Sequence, residues 1–270
     1  MIDYHLHTDF SKDGHEKMRD MCTAAQDAGM KHIAITDHID YDDLLPQNWE
    51  IKDIEGPKGY IATVRAMQDK FPGLDIALGV EAGYTASGQQ TVIDKIKLIN
   101  PDFVIGSLHF IDGIDVYDGV FFDGKSKQEA YDFYFDRLYE SIKPLSEYAH
   151  IVGHITYISK GPHVPYPDVK VHYSEHKKKI DAILKLIIEL GLGIEINTSG
   201  LFKNVKEMLP HFEIVQRYRQ LGGEILTVGS DAHYTNQVAF EIDKAFDMAK
   251  EAGFKYISIY PGGKHQMIKI

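Results

Sequence analysis

Ile2-Asp3-Tyr4-His5-Leu6-His7 opens the chain as a β-rich run ending in imidazole, and His32-Ile33-Ala34-Ile35-Thr36-Asp37-His38 repeats the plan with a carboxylate added. Residues i and i+2 of a strand project to the same side, so His5 and His7 can hold one cation between them. Five further runs have the same ending. Asp75–Val80 is followed by Glu81, Phe103–Leu108 by His109 and Ile151–Gly153 by His154, while Gly193–Ile196 contains Glu195 and precedes Asn197, and Glu224–Val228 precedes Asp231 and His233. Tyr256–Tyr260 is an eighth strand candidate. Helical periods fill the gaps, over Met18–Ala28, Tyr60–Lys70, Thr91–Lys97, Lys127–Ile142, Glu175–Leu190, Phe212–Gln220 and Gln237–Ala252. Gly29, Gly73, Gly191, Gly222 and Gly253, each after a helix and before a strand, are expected as C-caps. Such alternation is that of an α/β parallel sheet wound with helices. In a (β/α) barrel the C-terminal strand ends converge on one face, so polar residues from His5 to His233 are expected to meet there.

The 270 residues, 44% hydrophobic and 26% charged, suffice for one large core, and no linker or low-complexity tract divides them, so residues 1–270 are expected to form one domain. A net charge of −11 disfavours nucleic acid and anionic lipid as partners. The start carries no basic and apolar leader, and no stretch approaches membrane-spanning length, so the expected location is the cytoplasm with no membrane partner. A homo-oligomer is left open. Cys22 is the single cysteine, which excludes an intrachain disulfide and a thiolate cluster and leaves imidazole and carboxylate as metal ligands. Taken singly, His5-Leu6-His7, Thr36-Asp37-His38 and Ser230-Asp231-Ala232-His233 could each be a hydrogen-bonded histidine at a strand end. Their convergence on one barrel face points to a metal or catalytic site.

Six ordered elements, Asp3-Tyr4-His5-Leu6-His7-Thr8, Ile35-Thr36-Asp37-His38, Gly79-Val80-Glu81, Gly106-Ser107-Leu108-His109, Gly153-His154 and Gly229-Ser230-Asp231-Ala232-His233, resemble the polymerase and histidinol phosphatase (PHP) phosphoesterases. The resemblance implies a distorted (β/α)7 TIM-like barrel with three divalent metal ions at its C-terminal face. It implies one metal on His5, His7, Glu81 and Asp231, a second on Glu81, His109 and His154, and a third on Asp13, His38 and His233. His15 is a rival to Asp13 two residues on, and otherwise a substrate-side residue. Imidazoles and carboxylates without sulfur suit Zn, Mn or Fe(II). Such ions bind phosphate oxygens and lower the pKa of bound water to about 7, so a metal-bridging hydroxide is the expected nucleophile and no phosphoenzyme is needed. Asp231 or His233 is the positional choice for proton handling.

Within the family, His7-Thr8-Asp9-Phe10-Ser11-Lys12-Asp13-Gly14 and His109-Phe110-Ile111-Asp112-Gly113 are similar to the histidinol phosphatases, which implies a small phosphate ester, L-histidinol phosphate, as substrate. That subgroup commonly carries arginine after the histidine corresponding to His154; here Lys160 supplies the charge without the bidentate fork. Another nucleotide or sugar phosphate therefore stays open. Asp40, Asp42 and Asp43, with Tyr41, are candidates for the cationic end of the substrate, and Glu195, Asn197 and Ser199 for the barrel mouth. Asp40–Gly59 has the length and polarity of a mobile active-site loop.

Gly119-Val120-Phe121-Phe122-Asp123-Gly124-Lys125-Ser126 satisfies the spacing of a phosphate-binding loop, but no apolar strand precedes it and bulky residues fill it. Asn197-Thr198-Ser199 is a glycosylation triplet by spelling only. The aromatic residues of Tyr131–Tyr139 lack interleaved basic partners and are expected to be a packed helix face.

Overall fold

A computed structural model describes residues 1–45, 47–56, 58–85 and 87–270. The first half runs β1 (Ile2–Leu6), α1 (Met18–Asp27), β2 (His32–Ile35), β3 (His38–Ile39), α2 (Tyr60–Lys70), β4 (Asp75–Gly83), α3 (Gln89–Ile99) and β5 (Phe103–Ser107). A hairpin of β6 (Phe110–Ile111) and β7 (Ile114–Asp115) leads to α4 (Lys127–Leu145) and β8 (Ile151–Val152). The rest is α5 (Tyr173–Glu189), β9 (Gly193–Asn197), α6 (Phe212–Gln220), β10 (Leu226–Gly229), α7 (Ile242–Glu251), β11 (Tyr256–Ile259) and β12 (Gln266–Lys269).

Seven parallel strands follow one another in the order β1-β2-β4-β5-β8-β9-β10, each next to its sequence neighbour of the same type, with the short β3 pairing onto the end of β4. The strands carry near-continuous Val, Ile and Leu because both faces are covered, by helices outside and by side chains within. The sheet nearly closes into the expected distorted (β/α)7 barrel. Its seam is made by the chain just beyond β10: Asp231 N donates to His5 O at 2.8 Å and His7 N to Ala232 O at 2.9 Å. Asp3, fully buried, clamps that seam by accepting from Ser230 N (2.8 Å), Ser230 Oγ (2.6 Å) and Ala239 N (2.9 Å).

Tyr256–Tyr260 is not a barrel strand. It becomes β11, antiparallel to β12, because Pro261-Gly262-Gly263 turns the chain straight back, which excludes the crossover a parallel neighbour needs. Its end is anchored under the barrel by Tyr260 N donating to Tyr4 Oη. The last helix starts at Ile242 rather than Gln237, since Ala239 and Glu241 take left-handed φ of 62° and 53° before it. Gly73 is not a helix cap, because α2 stops at Lys70 ahead of Pro72, whereas the other four glycines do adopt positive φ. In the segment Asp40–Gly59, Pro46 and Pro57 lie outside the described residues; the remainder is fixed at one point by the antiparallel pairing of Asp40 and Trp49.

The P-loop spelling is a coincidence. Phe121 and Phe122 are buried in a 3-10 turn, Lys125 Nζ donates to Phe121 O, and Ser126 caps α4 reciprocally with Glu129. Tyr131, Tyr134, Phe135 and Leu138 form the buried face of α4, as the pattern required. Among the described residues no helix is long and apolar enough to cross a membrane.

Replacing Asp3 by Ala leaves two backbone amides and a hydroxyl buried without an acceptor, which at about 1–3 kcal/mol for each unsatisfied group predicts a loss of at least about 3 kcal/mol in stability. Chemical denaturation of Asp3→Ala beside Asp3→Asn, which keeps one acceptor oxygen, measures this; the Asn variant is expected to lose less.

Candidate active site

Alternation along the strands decides which side chains enter the barrel. His5 on β1, His7 just beyond its end, Glu81 on β4 and Ser107 on β5 point inward, and all four are buried. Glu81 is the hub. Its Oε2 lies 3.1 Å from His5 Nε2, 3.4 Å from His7 Nε2 and 3.3 Å from His38 Nδ1, while its Oε1 lies 2.8 Å from His154 Nε2 and 3.3 Å from His109 Nε2. Asp231 closes the other side, with Oδ1 3.3 Å from His7 Nε2 and 3.8 Å from His5 Nε2. Asp13 Oδ2 stands 3.0 Å from His233 Nε2 and 3.5 Å from His38 Nε2. All nine residues expected to ligate metal are thus gathered at one barrel mouth. Among the described residues, four overlapping sets have candidate ligand atoms close enough to share an ion: His7, His38 and His233; His5, His7 and Glu81; His5, His154 and Asp231; and His38, Glu81 and His109.

The residues suit divalent cations on two counts. First, the outer nitrogens of two imidazoles are taken by carboxylates, His5 Nδ1 by Glu195 Oε1 at 2.6 Å and His109 Nδ1 by Asp40 Oδ1 at 2.8 Å. A proton held on each outer nitrogen leaves the Nε2 lone pair facing the centre, which is how metal-binding histidines are oriented. Secondly, His7 Nε2, His38 Nδ1, Asp13 Oδ1, Asp40 Oδ2 and His154 Nδ1 are buried without a hydrogen-bond partner among the described residues. Buried polar atoms are otherwise nearly always satisfied. Charge agrees: burial alone would raise the Glu81 carboxyl, yet His5, His109 and His38 hold it well below the usual range. Burial, with His233 and His38 as positive neighbours, pushes His7 down to about 3, keeping it neutral as a ligand must be. The divalent-metal reading therefore stands.

The mouth is a cavity of about 370 Å³ whose wall includes Trp49, Asp115, Tyr117, Tyr157, Lys160 and Lys203 beside the cluster. Lys160 is buried and ion-paired with Asp231 Oδ2; burial would lower it, but Asp231 keeps the ammonium above its ordinary value. His15 lies at the rim, stacked on Tyr234 with ring centroids 4.5 Å apart, so Asp13 rather than His15 approaches His38 and His233.

Three expectations need correction. Asp42 does not line the mouth: its Oδ1 accepts from Ser87 Oγ (2.8 Å) and Leu44 N (2.9 Å), fixing its own loop. Asp40 points at His109, not at substrate. Asn197 is fully buried behind the ligands, where Nδ2 donates to Glu195 Oε2 (3.1 Å) and Asp231 Oδ2 (3.3 Å) and Oδ1 accepts from Ser199, while Ser199 itself reaches the cavity. Sequence reading missed Trp49, Asp115, Tyr117 and Lys203: Asp115 ends the two-residue strand β7, too short to show periodicity, and the others lie outside the helices and barrel strands. The one available signal was that loops after barrel strands line the mouth.

The chain is 31% identical over 262 residues to a probable histidinol-phosphatase of Clostridium acetobutylicum, covering 94% of this chain and 95% of that protein. It is 29% identical over 266 residues to the histidinol-phosphatase of Lactococcus lactis subsp. lactis, covering 97% and 95%. The crystal structure of the Lactococcus lactis histidinol phosphate phosphatase, complexed with zinc, L-histidinol and phosphate, superposes with a TM-score of 0.88 at 28% identity and covers 98% of both chains. The PHP domain profile matches residues 3–199, which hold nearly all of β1 to β9 and all but two of the clustered residues; with Asp231 and His233 completing the same cluster, this chain belongs to the PHP domain family.

Proposed function

We propose that this protein hydrolyses L-histidinol phosphate to L-histidinol and phosphate, with three divalent ions of Zn, Mn or Fe held at the barrel mouth. The observation that carries the reading is the Glu81-centred cluster opening into a cavity that also presents Lys160. His5, His7, Glu81 and Asp231 are assigned to one ion, Glu81, His109 and His154 to a second, and Asp13, His38 and His233 to the third. When bound, such ions neutralise phosphate oxygens and activate water for in-line attack, so that no side-chain nucleophile is required.

The chain's own residues do the positioning. Asp40 and Glu195 fix the tautomers of His109 and His5. Lys160 Nζ, held by Asp231 Oδ2, offers the phosphate a point charge, and Lys203 Nζ, 3.1 Å from Tyr117 Oη, adds a second cation to the wall. Asp115 is the wall carboxylate free of the cluster and suits the substrate's ammonium, while Trp49, Tyr117 and Tyr157 give flat surfaces for its imidazole. Proton delivery to the departing alkoxide is assigned to Asp231 or His233, which stand beside the cluster. His15 at the rim completes the substrate side. The reading includes residence in the cytoplasm and folding of residues 1–270 as one domain.

Phosphate release from L-histidinol phosphate, beside other phosphomonoesters, is expected to be selective, abolished by chelation and restored by Zn or Mn; equal rates on all esters would remove the substrate assignment and leave the reaction class. Asp40→Asn weakens the orientation of His109 and is expected to lower metal affinity by roughly 10- to 100-fold, read by competition with a chelating indicator. Lys160→Met is expected to lower kcat/KM by about 10- to 100-fold with Lys160→Arg retaining most activity, and steady-state kinetics on the metal-loaded variants checks this.

A further inference from the structure

Asp40 and Glu195 hold the outer nitrogens of His109 and His5, and each does so across an intervening strand. β3 pairs with β4 in a register that sets His38 opposite Glu81 and Ile39 opposite Ala82, which brings Asp40 beside Gly83. On its other side β4 pairs with β5, Gly83 opposite Ser107, and His109 follows two residues beyond Ser107. The Asp40 carboxylate therefore passes over β4 at Gly83 to bring Oδ1 within 2.8 Å of His109 Nδ1. Glu195 repeats the plan. It leaves β9, passes β10 at Gly229 and meets His5 Nδ1 on β1 at 2.6 Å.

Neither crossing point has room for a side chain. A Cβ on Gly83 would lie 2.2 Å from Asp40 Oδ1 and 2.8 Å from Asp40 Cγ, and one on Gly229 would lie 2.7 Å from Glu195 Oε1 and 2.4 Å from His5 Cβ. Non-bonded heavy atoms settle at about 3.5–4.0 Å, so these contacts cannot form without displacement. Neither glycine has a positive φ, so the backbone itself makes no demand for glycine at either place. The demand comes from the carboxylate. At Gly83 the part that would yield is also fixed: Asp40 N and O are both paired with Trp49, at 2.8 and 2.9 Å, and Gly83 is held in the ladder with β5, so a methyl group there pushes the Asp40 side chain off its path.

We propose that Gly83 is a positioning residue: the missing Cβ lets Asp40 reach across β4 to His109 and so turns His109 Nε2 towards the cluster. Its value to the centre rests on metal binding by that cluster. Gly83 is a cleaner place for the test than Gly229, because a Cβ at Gly83 meets only Asp40, whereas one at Gly229 also strikes His5 itself.

The test compares the full-length parent with Gly83→Ala, Asp40→Ala and the double variant Gly83→Ala/Asp40→Ala by two readouts. One is zinc affinity, from competition with a chelating indicator. The other needs no metal: the hydrogen-bonded Nδ1 proton of His109 in magnetic resonance spectra of protein labelled with 15N-histidine. Gly83→Ala is expected to lose that resonance and to bind zinc roughly 10- to 100-fold more weakly, as Asp40→Ala does. In the Asp40→Ala background the same change is expected to weaken zinc by no more than about twofold further, because the group it displaces is already gone. If Gly83→Ala alone fails to fold, the double variant is expected to fold, since loss of the carboxylate makes room for the methyl group. The proposal is overturned if Gly83→Ala keeps the resonance, if its effect on zinc is the same with and without Asp40, or if neither protein carrying Gly83→Ala folds. A parent that binds no zinc removes the metal reading instead, and the His109 resonance still decides the role of Gly83.

Discussion

An excess of buried negative charge governs the barrel mouth. Glu81, Asp231, Glu195 and Asp40 are all nearly inaccessible, and among the described residues Lys160 is the one permanent cation buried with them. Carboxylates at such depth are tolerated only when opposite charge faces them at close range. The imidazoles can supply part of it by taking protons, as the raised affinity of His5 for its proton indicates once Glu195, Glu81 and Asp231 outweigh its burial. A divalent ion meets the same requirement with the imidazoles neutral. Proton and metal thus compete for the same imidazoles, and the fold keeps that competition in place.

Everything nearby serves that geometry. Strand alternation sends His5, His7, Glu81 and Ser107 inward; the outer acceptors Glu195 and Asp40 orient His5 and His109, and Asn197 donates to Glu195 and Asp231 behind them. Asp37 does the same for the loop leaving β1, accepting from Thr8 N, Thr8 Oγ1 and Ser11 Oγ at 2.6–2.7 Å. Asp231 takes a left-handed φ of 54°, a conformation that few residues other than Gly, Asn and Asp adopt readily, and this bends the chain so that one residue both faces the cluster and closes the seam.

Most of the inner cluster was legible in the sequence because its residues stand at or just beyond strand ends that converge on one barrel face; Asp13, in the loop after β1, rested on the family resemblance alone. The loops were not. Asp40, Asp42 and Asp43 read alike as letters; what separates them is the pairing of Asp40 with Trp49, which turns Asp40 towards His109 while Asp42 is spent on Ser87 and Leu44. The choice of Asp13 over His15 turned on a stack against Tyr234, a residue far along the chain. Tyr256–Ile259 shows the limit in the other direction: periodicity finds a strand and is silent on whether its neighbour runs parallel or antiparallel.

The barrel seam joins the first strand to the chain after the last, and the same few residues complete the metal centre. While the chain is being synthesised, His5 and His7 emerge early and wait for Asp231 and His233. Contacts of such long sequence separation form late and slowly. An unfinished chain consequently presents His5 and His7 without Asp231 and His233, and the full cluster exists only in the completed molecule.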